Sequence, residues 1–176
     1  MKTLFLFPTS MEAQPFKELC PDADIVIIGV GMAAAAASSA HAIAERKPDR
    51  VVLCGIAGAM GDDVAVGTVV EVVSDRVAGL PKAFDKEYIS PARTSLLSVH
   101  SLTVSHTGEG APYAEQGRPT IEQMEGAAVA AVAEAFGVEY MHLRAISNRV
   151  SDDRKAWSIG EAIQALGKEL SQLFTE

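Results

Sequence analysis

The sequence predicts an α/β protein in which a mixed, largely parallel and twisted central sheet lies between helices in a three-layer arrangement. Short apolar segments alternate along the chain with segments of helical periodicity, the pattern typical of successive strands and helices. Glycine-rich stretches follow two of the apolar segments, where the chain leaves a strand. With 176 residues, of which 48% are hydrophobic, the chain is long enough to bury one sizeable core. We therefore expect a single domain over residues 1–176.

Six apolar segments predict strands, because short runs of apolar residues bounded by turn formers are typical of buried strands. They lie at residues 3–7, 25–28, 51–54, 68–73, 101–106 and 138–147. Residues 9–12, 29–31 and 55–61 predict turns after the first three strands. The periodicity fades at residues 78–98, which predicts a loop or lid, and residues 107–119 predict a polar loop.

The remaining periodic segments predict helices. Pro15 suits the first turn of a short helix that ends near Cys20. Thr120 and Ser158 each precede a Gln or Glu by three residues, the spacing of a capping box, which predicts that helices begin at these two positions. The predicted helices cover residues 15–20, 33–46, 121–135 and 159–173.

The composition favours a small molecule as the partner. The net charge of −8 and the lack of a dense basic run argue against a general nucleic-acid or membrane surface. No apolar run approaches the roughly 18 residues that span a bilayer, and Pro8 interrupts the apolar start without a cleavage-site pattern. We therefore expect a cytoplasmic protein. Its two cysteines and four histidines have no metal-ligand spacing, so we expect no metal site.

Two carboxylates lie near the crevice that forms beyond the carboxyl ends of parallel strands, where ligands of α/β proteins bind. Glu125 lies near a predicted helix start, where the helix dipole favours its ionised form, so it suits accepting hydrogen bonds from a vicinal diol. Glu12 could orient and deprotonate a water molecule. On spacing alone, the alternative for both is a solvated carboxylate near a helix start.

Five short motifs occur together in one order along most of the chain. They are Met11-Glu12, Gly29-Val30-Gly31-Met32, Gly55-Ile56-Ala57-Gly58-Ala59, Gln123-Met124-Glu125-Gly126-Ala127-Ala128 and Arg144-Ala145-Ile146-Ser147-Asn148. In this combination the chain resembles the nucleoside phosphorylase and nucleosidase superfamily, especially the methylthioadenosine/adenosylhomocysteine nucleosidases and the futalosine hydrolases.

The resemblance implies hydrolysis of the N-glycosidic bond of a purine nucleoside, without a metal or redox cofactor. It implies that Glu12 activates water, that Glu125 holds the ribose hydroxyls and that Met124 packs against the sugar. Further substrate neighbours by resemblance are Gly58, Thr107 and Gly108. Relatives are dimers or larger, so the expected assembly is a homodimer or a larger homo-oligomer.

Asn148 departs from the adenine-cleaving members, which the resemblance expects to carry an aspartate here as the proton donor. An amide cannot be that acid, but it can both donate to and accept from the edge of a 6-oxopurine. This favours futalosine, with release of hypoxanthine in menaquinone synthesis. Phosphorolysis, methylthioadenosine cleavage and a shortened relative that only binds nucleosides remain as alternatives. Phosphate binding would need a cation near the glycine turns, and Arg144 either supplies it or forms a structural ion pair.

Overall fold

The computed structural model describes residues 1–174, and its element order is that of an α/β protein. Strands and helices alternate at both ends of the chain, whereas five strands, β3 to β7, follow one another without an α-helix between them. The strands are β1 Thr3–Phe7, β2 Ile25–Ile27, β3 Arg50–Met60, β4 Val69–Val77, β5 Tyr88–Ile89, β6 Leu97–Thr103, β7 Thr120–Gln123 and β8 Glu139–Arg149. The helices are α1 Ser10–Leu19, α2 Met32–Arg46, α3 Gly126–Phe136 and α4 Ile159–Phe174.

The sheet is mixed and closes on itself. Strand β3 pairs with β8, β4 with β6, and β6 with β7 in parallel, while β4 pairs with β8 and β7 with β3 in antiparallel orientation. These five strands form a barrel-like ring. Strands β1 and β2 extend the sheet in parallel from β3, and β5 joins β4 from outside. The predicted fold class is confirmed, whereas the sequence did not predict the closure.

The side chains of β1 pack against helices on both faces of the sheet. Its side chains alternate between the two faces of the sheet. Phe5 and Phe7 pack in a core with residues of α1 and α4, whereas Leu4 and Leu6 pack in a second core with residues of α2 and α3. Because both faces of the strand are buried, its sequence is continuously apolar rather than alternating.

The first helix begins earlier than predicted. The side chain of Thr9 caps it by accepting a hydrogen bond from the backbone N–H of Glu12, so the predicted turn at residues 9–12 is the first turn of α1. Pro15 therefore lies inside this helix and not in its first turn. As a consequence, Glu12 is held by helical backbone directly after β1.

The predicted glycine turn at residues 55–61 is wrong over most of its length. Residues 55–60 continue β3 to Met60, because β8 and β7 pair with this half of the strand. Gly58 pairs with Asn148 of β8 at a register shift. This pairing places two of the predicted site residues next to each other.

The helix predicted to begin at Thr120 is also wrong in its start. Residues 120–123 form β7, whose two edges pair with β6 and β3, and α3 begins only at Gly126. The Thr120 hydroxyl donates to the backbone oxygen of Arg118 instead of accepting from a helix. Pairing on both sides outweighs the local capping pattern, and residues 121–123 become buried strand.

The two predicted loops are largely irregular. Residues 78–96 contain only the two-residue strand β5, and residues 107–119 contain one short 3₁₀ turn at Ala111–Tyr113. Strand β6 begins at Leu97 and ends at Thr103, several residues before the predicted strand. Within residues 1–174, no helix has the length and apolar character needed to cross a membrane.

Candidate functional site

A cavity of about 250 Å³ lies beside the residues that follow or end strands β1, β6 and β8. This is the edge at which α/β sheets bind ligands. Six sequence-predicted site residues line it: Glu12, Gly58, Thr107, Met124, Glu125 and Asn148. Among the wall residues that the sequence analysis did not select are Glu122, Arg154, Trp157 and Ile159.

Glu12 is buried, with only 5% of its surface exposed, and both carboxylate oxygens are hydrogen-bonded. The backbone N–H of Ile56 donates to Oε1 over 3.0 Å, and the Thr9 hydroxyl donates to Oε2 over 2.6 Å. Burial raises the pKa of Glu12, while the Thr9 hydroxyl, the positive charge of Arg144 and the Ile56 N–H lower it in part. The carboxylate is therefore held in one orientation and has a raised affinity for protons.

Glu125 is the residue immediately before α3, and it is also buried. Its Oε1 accepts a hydrogen bond from the backbone N–H of Gly31 over 3.0 Å, and its Oε2 lies 3.1 Å from Nη2 of Arg144. Gly31 has a φ of 90°, a backbone conformation that favours glycine. The first glycine turn thus contributes directly to the position of this carboxylate.

The guanidinium of Arg144 forms hydrogen bonds with residues of several elements around the site. Besides Glu125, its guanidinium donates to Oε1 of Gln123 over 3.2 Å, to the backbone oxygen of Ile56 over 3.1 Å and to Nε2 of His142 over 2.7 Å. Burial and the Arg144 charge lower the pKa of His142 well below its usual value, so the ring is neutral and accepts this bond. Arg144 forms the ion pair that the sequence left as one of two alternatives.

Beneath the cavity, the amide of Gln123 connects this site to buried Asp75. Its Nε2 lies 2.9 Å from Oδ2 of Asp75, and its Oε1 accepts from the backbone N–H groups of Glu125 and Gly126 over 2.7 and 2.6 Å. Gln123 therefore binds the start of α3 from the preceding strand. Burial raises the pKa of Asp75 to about 7, and the Thr103 hydroxyl lowers it in part.

The sequence does not predict these buried contacts. The spacing predicts Gln123 as a capping partner of Thr120, whereas its Oε1 accepts a hydrogen bond from the backbone N–H of Gly126, the first residue of α3. Asp75 lies in β4, two residues beyond the end of the strand predicted at residues 68–73, and a charged residue is almost never fully buried unless it is paired. Because the predicted strand ends before Asp75, the sequence contains no signal for this buried partner.

Asn148 lies near the end of β8 and is 2% exposed. Its Oδ1 accepts from the Ser147 hydroxyl over 2.8 Å, and its Nδ2 donates to the backbone oxygen of Arg149 over 2.8 Å. A Cβ on Gly58 would lie 3.1 Å from this Nδ2, so glycine leaves the space that the amide occupies. One amide hydrogen and one lone pair of Asn148 remain for a ligand.

Gly108 is the one predicted site residue that does not line the cavity. Its backbone N–H donates over 2.7 Å to Oε1 of Glu122, a buried glutamate on the cavity wall. Burial also raises the pKa of Glu122, and the N–H groups of Gly108 and Gly110 lower it in part. Gly108 thus helps to position Glu122, which lines the cavity, and its neighbour Thr107 lines the cavity itself.

The residues that the structure describes contain no group of three or more His, Cys, Asp or Glu side chains that could hold a metal ion. The ionisable groups on the cavity wall are instead three carboxylates and two guanidinium groups: Glu12, Glu122, Glu125, Arg144 and Arg154. These side chains can form hydrogen bonds and ion pairs with a ligand.

Known proteins resemble this chain in sequence and in fold. A family model described as the phosphorylase superfamily matches residues 23–92 and 96–176. A futalosine hydrolase of Streptomyces coelicolor is 32% identical, over 85% of this chain and 77% of the relative. A 5′-methylthioadenosine/S-adenosylhomocysteine nucleosidase of Maridesulfovibrio salexigens is 24% identical, over 73% of this chain and 69% of the relative.

The structure of a futalosine hydrolase mutant of Helicobacter pylori superimposes with a TM-score of 0.85, covering 98% of this chain and 99% of that one. Its sequence identity is only 16%, so this likeness concerns the fold. The family model, in contrast, matches most of the sequence. The chain is a member of the phosphorylase superfamily.

Proposed function

We propose that this protein hydrolyses the N-glycosidic bond of a purine nucleoside, and that its substrate is a 6-oxopurine nucleoside such as futalosine. Its relatives are N-glycosidases, and so is this chain. The observation that carries the proposal is the pair of buried carboxylates, Glu12 and Glu125, on the wall of one cavity and both close to Arg144. Asn148 lines the same cavity.

Glu12 acts as the general base in this proposal. A water molecule that attacks the anomeric carbon must lose a proton, and the carboxylate of Glu12 receives it. Its raised pKa makes it a stronger base than an ordinary glutamate, and the hydrogen bonds from Thr9 and Ile56 fix its direction. The glycosidic bond breaks with its electron pair moving to the purine, which leaves as an anion and takes up a proton from solvent, while Glu12 releases its proton to solvent.

Glu125 accepts hydrogen bonds from the ribose hydroxyls, and Met124 packs against the sugar. Each oxygen of Glu125 accepts one protein hydrogen bond, from Gly31 or from Arg144, and retains a free lone pair for a hydroxyl. The sugar becomes positively charged as the bond breaks, and a pre-positioned carboxylate stabilises that charge. Glu125 therefore contributes to both binding and catalysis.

Asn148 supports a 6-oxopurine as the base. Its free amide hydrogen can donate to O6 or N7, and its free lone pair can accept from N1–H. An amide can also pair with N6–H and N7 of adenine, but it cannot supply the proton that the adenine-cleaving members are expected to take from an aspartate at this position. Methylthioadenosine is accordingly the second candidate substrate, supported by the nucleosidase relative.

Water is a more suitable nucleophile here than phosphate. Arg144 is engaged by Glu125, Gln123, His142 and Ile56, and a phosphate beside it would face the carboxylates of Glu12 and Glu125. The negative charges of the phosphate and of the two carboxylates would repel one another in a buried site. Phosphorolysis would require a free cation next to Glu12 and Glu125, and the other guanidinium on the cavity wall, that of Arg154, is exposed and not buried beside them.

The test is to incubate the purified protein with futalosine, inosine and methylthioadenosine, each with and without phosphate, and to measure the free base. The proposal expects hypoxanthine from futalosine at a rate that does not depend on phosphate. Release that requires phosphate would assign the protein to the phosphorylases. Binding of a nucleoside without any release would make it a nucleoside-binding relative.

A further inference from the structure

Arg154 is exceptional among the arginines of this protein. The other seven each lie within 4.0 Å of a carboxylate oxygen: Arg46, Arg50, Arg76, Arg93, Arg118, Arg144 and Arg149. Within residues 1–174, the guanidinium of Arg154 has no carboxylate partner and donates no side-chain hydrogen bond. In a chain with 23 acidic residues and a net charge of −8, this is unexpected.

The acidic residues next to Arg154 in sequence are used elsewhere. Oδ2 of Asp152 accepts a hydrogen bond from the backbone N–H of Arg149 over 2.8 Å. Oδ1 of Asp153 accepts from the backbone N–H of Lys155 over 3.0 Å and caps the short 3₁₀ turn Arg154–Ala156. The local backbone thus engages both carboxylates, and the guanidinium beside them keeps its donors.

The N–H donors of Arg154 lie at the cavity of the proposed active site. Arg154 lines this cavity, and its Cζ lies 5.6 Å from the centre of the Trp157 ring, which lines the same cavity. Stacking on an indole holds a guanidinium while leaving its N–H groups free. Arg154 is exposed, whereas Glu125 and Asn148 are buried, so the free donors lie at the outer part of the cavity.

We propose that Arg154, held by Trp157, binds an anionic group on the 5′ substituent of the nucleoside. This inference rests on the proposed function. With the base at Asn148 and the ribose hydroxyls at Glu125, the 5′ substituent is the part of the nucleoside that remains to reach the outer cavity. A guanidinium binds carboxylates and phosphates through two parallel hydrogen bonds, and both groups share this chemistry.

Two pairs of compounds test whether the anionic group is a carboxylate or a phosphate. Futalosine carries a carboxylate on its 5′ substituent, and its primary amide has nearly the same shape without the charge. Inosine 5′-monophosphate carries a phosphate, and inosine is its neutral counterpart. The measurements are kcat and KM for release of hypoxanthine from all four compounds, with wild-type protein, Arg154→Gln and Lys155→Gln. Lys155 is an exposed neighbour that does not line the cavity, so it is the matched control.

The wild-type protein is expected to favour the charged member of at least one pair by about tenfold in kcat/KM, the effect of one charge-assisted hydrogen-bond pair. Arg154→Gln should remove this preference, mainly through a higher KM, and Lys155→Gln should retain it. The preference should also weaken as salt is added, because the guanidinium is exposed to solvent. The responding pair identifies the group as a carboxylate or a phosphate.

Equal kcat/KM values within both pairs in the wild type, or a preference that persists in Arg154→Gln, would overturn the inference while leaving nucleoside hydrolysis intact. If no nucleoside is hydrolysed, the proposed function fails, and the dissociation constants of the same four compounds decide the inference separately. A charge preference in binding that disappears in Arg154→Gln would then support it, and equal binding would reject it.

Discussion

Gly55 and Arg144 occupy neighbouring strands so closely that a Cβ on Gly55 would lie 2.5 Å from Nη1 of Arg144. The same Cβ would lie 2.9 Å from Oε1 of Glu12. The missing side chain is therefore what allows the guanidinium and the proposed general base to approach each other. The second glycine motif of the sequence serves the site by leaving space within a strand.

Gly55→Ala is expected to displace Arg144 or Glu12 and to lower hydrolysis strongly. Overpacking of this kind destabilises a fold by about 1–3 kcal/mol, which urea unfolding would detect. Gly160→Ala is the control, since a Cβ on Gly160 meets nothing within 4 Å and its backbone is helical. Equal activity and stability in the two variants would show that the close approach at Gly55 is unimportant.

Glu12→Gln should lower kcat by about 10²–10⁴, the usual contribution of a general base. In the wild-type protein, kcat/KM should fall as the pH drops through the pKa of Glu12, because only the ionised carboxylate accepts a proton. Since burial raises that pKa, the acid limb should lie above the pH at which an ordinary glutamate titrates. A pH profile of base release measures this limb. An activity of Glu12→Gln equal to that of the wild type would exclude Glu12 as the base.

Asn148→Asp should shift selectivity from futalosine towards methylthioadenosine. A protonated carboxyl group can donate a proton to the adenine ring, which an amide cannot do, whereas a carboxylate loses the amide hydrogen that pairs with a 6-oxopurine. We expect the ratio of the two kcat/KM values to change by at least about tenfold, the effect of one hydrogen bond to a charged group. Asn148→Ala should slow both substrates, and an unchanged ratio in Asn148→Asp would remove Asn148 from base selection.

Asp75→Asn should change the pH dependence of folding stability. Burial raises the pKa of Asp75 to about 7 in the folded state, above its ordinary value of 3.8, so the folded state binds this proton more tightly than the unfolded state. The resulting stabilisation is complete below about pH 4 and is lost as the pH rises to about 7. The variant should therefore lose less stability than the wild type between these values, by at least about 1 kcal/mol. Urea unfolding at several pH values measures this, and parallel curves would contradict the raised pKa.

The sequence alone determined the fold class. The spacing of apolar residues reflects burial within each strand or helix, and glycines indicate where several of these elements end. It placed Glu12 after the first strand and Asn148 near the end of the last one, and both side chains reach one cavity. The family motifs suggested chemical roles for these residues. These predictions were possible from the sequence because each depends on residues that are close together along the chain.

The tertiary structure decided what depends on partners far away in sequence. Thr120 and Gln123 have the spacing of a helix cap, yet pairing with β6 and β3 makes residues 120–123 a strand. Apart from His142 in its own strand, the partners of Arg144 come from two other strands, β3 and β7, and from the start of α3. Gln123 reaches Asp75 across 48 positions of sequence. Such contacts form only when the sheet closes, because closure brings the ends of distant strands to one place and buries their polar groups together.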